Sequence, residues 1–78
     1  MICAEVSIYP LKTDHASGII AGSISKLDNR NIDYTVGSIS THLQGSEEQI
    51  WNSLRQMFHH AGNSGEVSMV VTISNAGG

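Results

Sequence analysis

At 78 residues and 8.3 kDa the chain is long enough for one domain and too short for two. Apolar residues make up 40% and charged residues 14%, which excludes a disordered tail and leaves a lightly charged surface. Four Lys and Arg against seven Asp and Glu give a net charge of -3, and Lys12, Lys26, Arg30 and Arg55 are scattered along the sequence, which argues against nucleic acid as the main partner because phosphate neutralisation needs a cluster of cations.

Residues 2–9 alternate strictly. Ile2, Ala4, Val6 and Ile8 share one face and Cys3, Glu5, Ser7 and Tyr9 the other, the period of a strand with one side on a core. Pro10 lacks a backbone donor and ends it. Thr13 or Asp14 offers a side-chain oxygen to cap a helix, whose apolar stripe is Ala16, Ile19, Ile20, Ile24 and Leu27. Gly18 and Gly22 each cost about 1 kcal/mol relative to Ala, so this helix relies on tertiary packing. Its small residues admit close approach of a neighbour, with helix–sheet packing the plain expectation.

Residues 28–31 (Asp-Asn-Arg-Asn) read as a turn. Ile32, Tyr34 and Val36 alternate with Asp33, Thr35 and Gly37 in a second strand. After a Gly37-Ser38 break, residues 39–44 form a third, with Ile39, Thr41 and Leu43 on one face and Ser40, His42 and Gln44 on the other. Ser46-Glu47-Glu48-Gln49 is a capping box opening a second helix, and its two acids suit the helix dipole. Ile50, Trp51, Leu54, Met57, Phe58 and Ala61 draw its apolar stripe, and Gly62 is placed to end it. A loop at residues 63–65 leads to a last strand, in which Val67, Met69, Val71 and Ile73 alternate with Ser68, Val70, Thr72 and Ser74. The tail from Asn75 is expected to be loose.

Strand, helix, strand, strand, helix, strand is the α+β, ferredoxin-like βαββαβ order: a four-stranded antiparallel sheet with two helices on one face. Residues 1–75 make the single domain and residues 76–78 a flexible tail. The expected core is Ile2, Ala4, Val6, Ile8, Ile20, Ile24, Leu27, Ile32, Tyr34, Leu43, Ile50, Leu54, Phe58, Val71 and Ile73. Both helices cover the same side, so the other side of the sheet is bare. Its residues (Cys3, Glu5, Ser7, Tyr9, Thr35, Ser40, His42, Gln44, Ser68, Val70 and Thr72) are polar yet hardly charged, which favours burial against a second copy over a plain wet surface. A domain this small, with no disulfide to staple it, also gains from self-association.

The order and spacing of these features resemble a known family over nearly the whole chain. Glu5-Val6-Ser7-Ile8-Tyr9-Pro10 is similar to the opening strand of the thiamine-binding proteins of the YkoF and MTH1187 type. Leu27, Ile32 and Tyr34 match that family's helix end, turn and second-strand Tyr in spacing. Ser40-Thr41-His42-Leu43-Gln44-Gly45-Ser46 stands where it has Gly-Thr-x-x-Glu-Gly-Asp, and His59, His60 and Gly62 stand where its second helix ends. The chain departs from the pattern at Gln44, Ser46 and Ser68, which replace an acid, an Asp and a basic residue. The resemblance implies a ferredoxin-like fold, dimers or tetramers built through sheets, binding of thiamine or its hydroxymethylpyrimidine half, and no catalysis.

A thiamine site needs a carboxylate or amide against the pyrimidine edge, hydroxyls, and apolar walls. The candidate ligand-binding residues are therefore Glu5, Ser7, Ser40, Thr41, His42 and Gln44. Glu5 can accept from an amino group and offset the thiazolium cation, and Gln44 can both donate and accept. Each has a plain structural alternative: an interface hydrogen bond for Glu5, solvent for Gln44, backbone satisfaction for Thr41, and a structural imidazole for His42. Trp51 either walls a pocket or, as its stripe favours, packs in the core. His59 and His60, about 100° apart on a helix, do not grip one ion, and no Cys or acid sits at helpful spacing, so no metal site is expected. Cys3 reads as a buried or interface thiol, and no phosphate loop or nucleophile elbow is present. A lone Cys suits a reducing compartment, and neither a membrane-length apolar run nor a secretory leader is legible.

The expectation is thus a cytoplasmic, non-catalytic binder of thiamine or hydroxymethylpyrimidine that works as a homodimer or homotetramer, with no cofactor, nucleic acid or membrane partner. The alternatives are a small cofactor-free enzyme with His42 in a deep apolar pocket, and a purely structural oligomerisation module.

Overall fold

The computed structural model describes residues 1–29 and 32–76; the expected turn residues Arg30 and Asn31 and the tail residues Gly77 and Gly78 lie outside the described residues. Strand β1 (Ile2–Pro10) leads to helix α1 (Ala16–Ser25), which tightens into a 3-10 turn (Lys26–Asn29). Strands β2 (Asp33–Val36) and β3 (Thr41–Gly45) form a hairpin, followed by helix α2 (Glu47–Gly62) and strand β4 (Val67–Ser74). The sheet is antiparallel, in the order β2-β3-β1-β4. The expected βαββαβ architecture is therefore the one observed.

Strand order decides what is buried. β1 and β3 lie in the middle, and Ala4, Val6, Ile8, Thr41 and Leu43 are buried on the helix side. Ile50, Leu54, Met57 and Ala61 come down from α2, and Leu27 and Ile32 close the core around the 3-10 turn. Ile19, Ile20, Ile24, Tyr34 and Val71 pack against this cluster while only partly buried. Among the described residues, no helix is long and apolar enough to cross a membrane.

Several local expectations need correction. Phe58 and Ile73 are not core residues: they are 43% and 38% exposed, and Trp51 is 48% exposed. All three lie on the flank of α2 and β4, where β4 is the outermost strand and no further element among the described residues covers them. Ile39 belongs to no strand and is 83% exposed, because the hairpin closes through a Gly37 N–H donated to the Ser40 carbonyl, which puts the loop at residues 37–40. Neither Thr13 nor Asp14 caps α1. His15 holds the N-cap position with no side-chain bond, and the Thr13 hydroxyl accepts from the His15 N–H at 3.0 Å in a turn ahead of it. Gly62 is the last residue of α2 rather than its stop; Asn63 follows in right-handed conformation, and the left-handed turn falls on Gly65.

The capping box is formed as expected, with the Gln49 N–H donating to Ser46 Oγ at 3.2 Å and the Ser46 N–H donating to Gln49 Oε1 at 2.9 Å. The close approach that small residues of α1 allow is to α2, not to the sheet: a Cβ added at Gly22 would lie 2.5 Å from His60 Nε2.

Candidate functional site

Register fixes which side chains meet on the helix-free face. Glu5 of β1 stands opposite His42 of β3 on one side and Thr72 of β4 on the other, and His42 in turn faces Thr35 of β2. One row therefore reads Thr35, His42, Glu5, Thr72. The next reads Asp33, Gln44, Cys3, Ser74. Directly opposed Cβ atoms in a sheet lie about 4.5–5.5 Å apart, so each row is a contact series. Gln44 Nε2 approaches Cys3 Sγ at 3.6 Å, joining β3 to β1 within the second row. Beyond these rows, Ser7 faces Val70 and Tyr9 faces Ser68.

The two rows enclose a shallow hollow of about 160 Å³, lined by Cys3, Glu5, His42, Thr72 and Ser74. At the end of the sheet, Asp33 and Gln44 line a second hollow of about 360 Å³ with Met1, Ser46 and Gln49. A third, of about 130 Å³, lies under α1, where Ile20 and Ile24 roof Thr41 and the loop at residues 37–40. Ser7 and Ser40 reach this third hollow, and the Ser7 hydroxyl donates to the Ile39 carbonyl at 3.3 Å.

The six candidate residues are thus not brought together. Glu5 and His42 share the central hollow; Gln44 adjoins them through Cys3; Ser7, Ser40 and Thr41 border the cleft under α1. Thr41 is buried on the helix side, and its hydroxyl does not share the open face with Glu5. Asp33 and Ser74 were missed as neighbours of the site. Strict alternation along β2 and β4 places them on the open face, but only the register shows that they fall in line with Gln44 and Cys3.

The two open-face rows carry two carboxylates, Glu5 and Asp33, and no Lys or Arg. Lys12 is drawn off to Glu66, 3.1 Å away at the exposed end of β1. The face therefore presents negative charge and hydrogen-bond acceptors to amino groups and cations, and offers a phosphate no cationic side chain. Among the described residues, no three His, Cys, Asp or Glu side chains group as metal ligands, and His60 is turned toward Gly22 of α1.

A profile of the YKOF-related family matches residues 1–77. No curated protein matches the chain significantly. Among solved structures, protein SP2199 of Streptococcus pneumoniae superposes with a TM-score of 0.90 at 19% identity, over 97% of this chain and 87% of that one. A hypothetical protein of Methanocaldococcus jannascii, MJ1052, gives 0.88 at 22% identity, over 97% and 80%. A Thermotoga maritima protein, TM0486, provisionally assigned to thiamine biosynthesis or salvage, gives 0.83 at 17% identity, over 94% and 81%. At these identities the structures share the fold. The family match spans nearly every residue, and the chain belongs to the YKOF-related family.

Proposed function

We propose that this chain is a non-catalytic, cytoplasmic homo-oligomer that binds thiamine or its hydroxymethylpyrimidine half. Family membership supports the ligand class, and the assignment of TM0486 to thiamine biosynthesis or salvage points the same way. The observation that carries the reading is the cation-free row on the bare sheet face, with Glu5 between His42 and Thr72. Glu5 accepts from the exocyclic amino group of an aminopyrimidine or balances a thiazolium charge. The Gln44 amide offers a donor and an acceptor to a ring edge, and Thr72 and Ser74 supply hydroxyls.

Size brings in the oligomer. Pockets that enclose a small molecule run to about 300–1,000 Å³, whereas the hollow beside Glu5 measures about 160 Å³. One sheet face makes half a site, and a second face laid over it completes it, so that binding and association reinforce each other. The hollow next to His42 is shallow in a single chain, which supports a binding face shared between copies over a closed catalytic chamber.

Isothermal titration of the purified chain with thiamine, hydroxymethylpyrimidine and thiamine diphosphate tests this. Heat is expected with the first two and a much weaker response with the diphosphate, whose charge the acidic face repels. Glu5→Gln should weaken binding at least 10-fold, about the 1.4 kcal/mol of one charge-assisted hydrogen bond, while Thr41→Val leaves it unchanged. The reverse pattern moves the ligand under α1. No response to either unphosphorylated compound leaves a structural module.

A further inference from the structure

On the helix side of the sheet, away from the face proposed to hold thiamine, a groove of about 400 Å³ runs between α2 and β4. Trp51, Leu54 and Phe58 of the helix face Met69, Val71 and Ile73 of the strand. Leu54 is buried, whereas Trp51 is 48% and Phe58 43% exposed. The two aromatics are seven residues apart, two turns or about 10.5 Å along one side of the helix. They therefore stand as the end walls of a slot whose inner wall is Leu54.

One cation lines this slot. Arg55 follows Trp51 by four residues and precedes Phe58 by three, so its exposed side chain sits at the rim between the two rings. One of its five N–H donors goes to Asn52 Oδ1, 3.1 Å away. No carboxylate answers its charge: among the described residues the ion pair is Lys12 with Glu66, β4 carries no acid, and Glu47 and Glu48 lie in the first turn of α2. In a chain of net charge -3, an unpaired guanidinium above an apolar slot is matched by an anion with an apolar body.

We infer that this groove binds a small aromatic carboxylate, its ring between Trp51 and Phe58 and its carboxylate on Arg55. The hollow of about 400 Å³ falls within the roughly 300–1,000 Å³ of small-molecule pockets. At about 30 Å³ for each water-sized group, it takes a body of about a dozen non-hydrogen atoms. Aromatic walls favour an aromatic body, because ring pairs gain beyond the area they bury. The planar fork of Arg fits a carboxylate with two parallel hydrogen bonds. A phosphate, with its further charge, needs a second cation, and none lines the groove.

Isothermal titration of the full chain with 2-naphthoate and with its neutral counterpart 2-naphthamide tests the assignment. Naphthoate is expected to bind once per chain with a Kd on the order of 0.1–1 mM, and naphthamide at least 10-fold more weakly. Arg55→Gln should weaken naphthoate at least 10-fold and leave naphthamide unchanged, while Arg55→Lys keeps part of the affinity. Trp51→Ala should weaken both compounds with native circular dichroism; if it unfolds, the exposed Arg55 variants carry the test. Saturating thiamine should leave the naphthoate titration as it is. Equal binding of the two compounds overturns the inference, as does an Arg55→Gln chain that folds and binds naphthoate like the native one. So do displacement of naphthoate by thiamine and the absence of heat at millimolar naphthoate. Trp51 is the single Trp of the chain, so a red shift of its emission on dilution without ligand would show a second copy in the groove and overturn it too.

Discussion

Ser53 is placed where a hydroxyl has nothing to gain. It is fully buried on α2 beside Leu54, and its Oγ has no hydrogen-bond partner among the described residues. An unsatisfied buried polar group costs about 1–3 kcal/mol, and Ala is the better helix former. Ser53→Ala is therefore expected to raise stability by about 1 kcal/mol in urea denaturation. Ser46→Ala, in the same assay, should lower it by about 1 kcal/mol, because the Gln49 N–H loses its acceptor at the start of α2. Gly22 is coupled to a residue far along the chain. An added Cβ must displace the His60 ring, which offsets the gain of about 1 kcal/mol that Ala brings to a helix. Gly22→Ala should then stabilise more in a His60→Ala background than in the native one, a non-additivity that a double-mutant cycle reads directly. The cap at Ser46 was legible because both partners lie within four residues. Gly22 could be read as a place of close approach, but which element approaches is a tertiary fact.

The elements differ in how far they stand alone. α2 has its capping box, two acids in its first turn and two His in its last. α1 has no side-chain cap and no acid in its first turn, and Ser23 and Ser25 bond back to the Ile19 and Gly22 carbonyls. Hydrogen exchange should release the amides of α1 well before those of α2. Gly18→Ala, where an added Cβ meets nothing within 4 Å, should stabilise the protein by about 1 kcal/mol, measured by thermal unfolding. Period-two and period-3.6 patterning made all six expected elements readable, since each buries one face on the same core. It misplaced the start of β3 because Ile39 keeps the alternation while the Gly37–Ser40 closure has already ended the ladder. It also buried Phe58 and Ile73, because a stripe shows which side of an element is apolar and not whether anything lies against it.

At the scale of the molecule, stability rests on a short central seam. Leu43, Ile50 and Met57 are fully buried, and Leu43→Ala should cost about 2–5 kcal/mol, a large share of the roughly 5–15 kcal/mol that folded domains hold. The candidate site was legible as a face and not as a constellation. Alternation put Glu5, His42 and Gln44 together, but motif order also enrolled Thr41, whose place in β3 turns it to the opposite side. The outer strands differ, a four-residue β2 that carries Asp33 and an eight-residue β4 without charge or Pro, and this contrast governs what assembly can become. If the uncharged border alone adheres, joining two copies consumes it on both and leaves only short, Asp-bearing hems outward. Growth along the hydrogen-bonding direction would then halt at a pair.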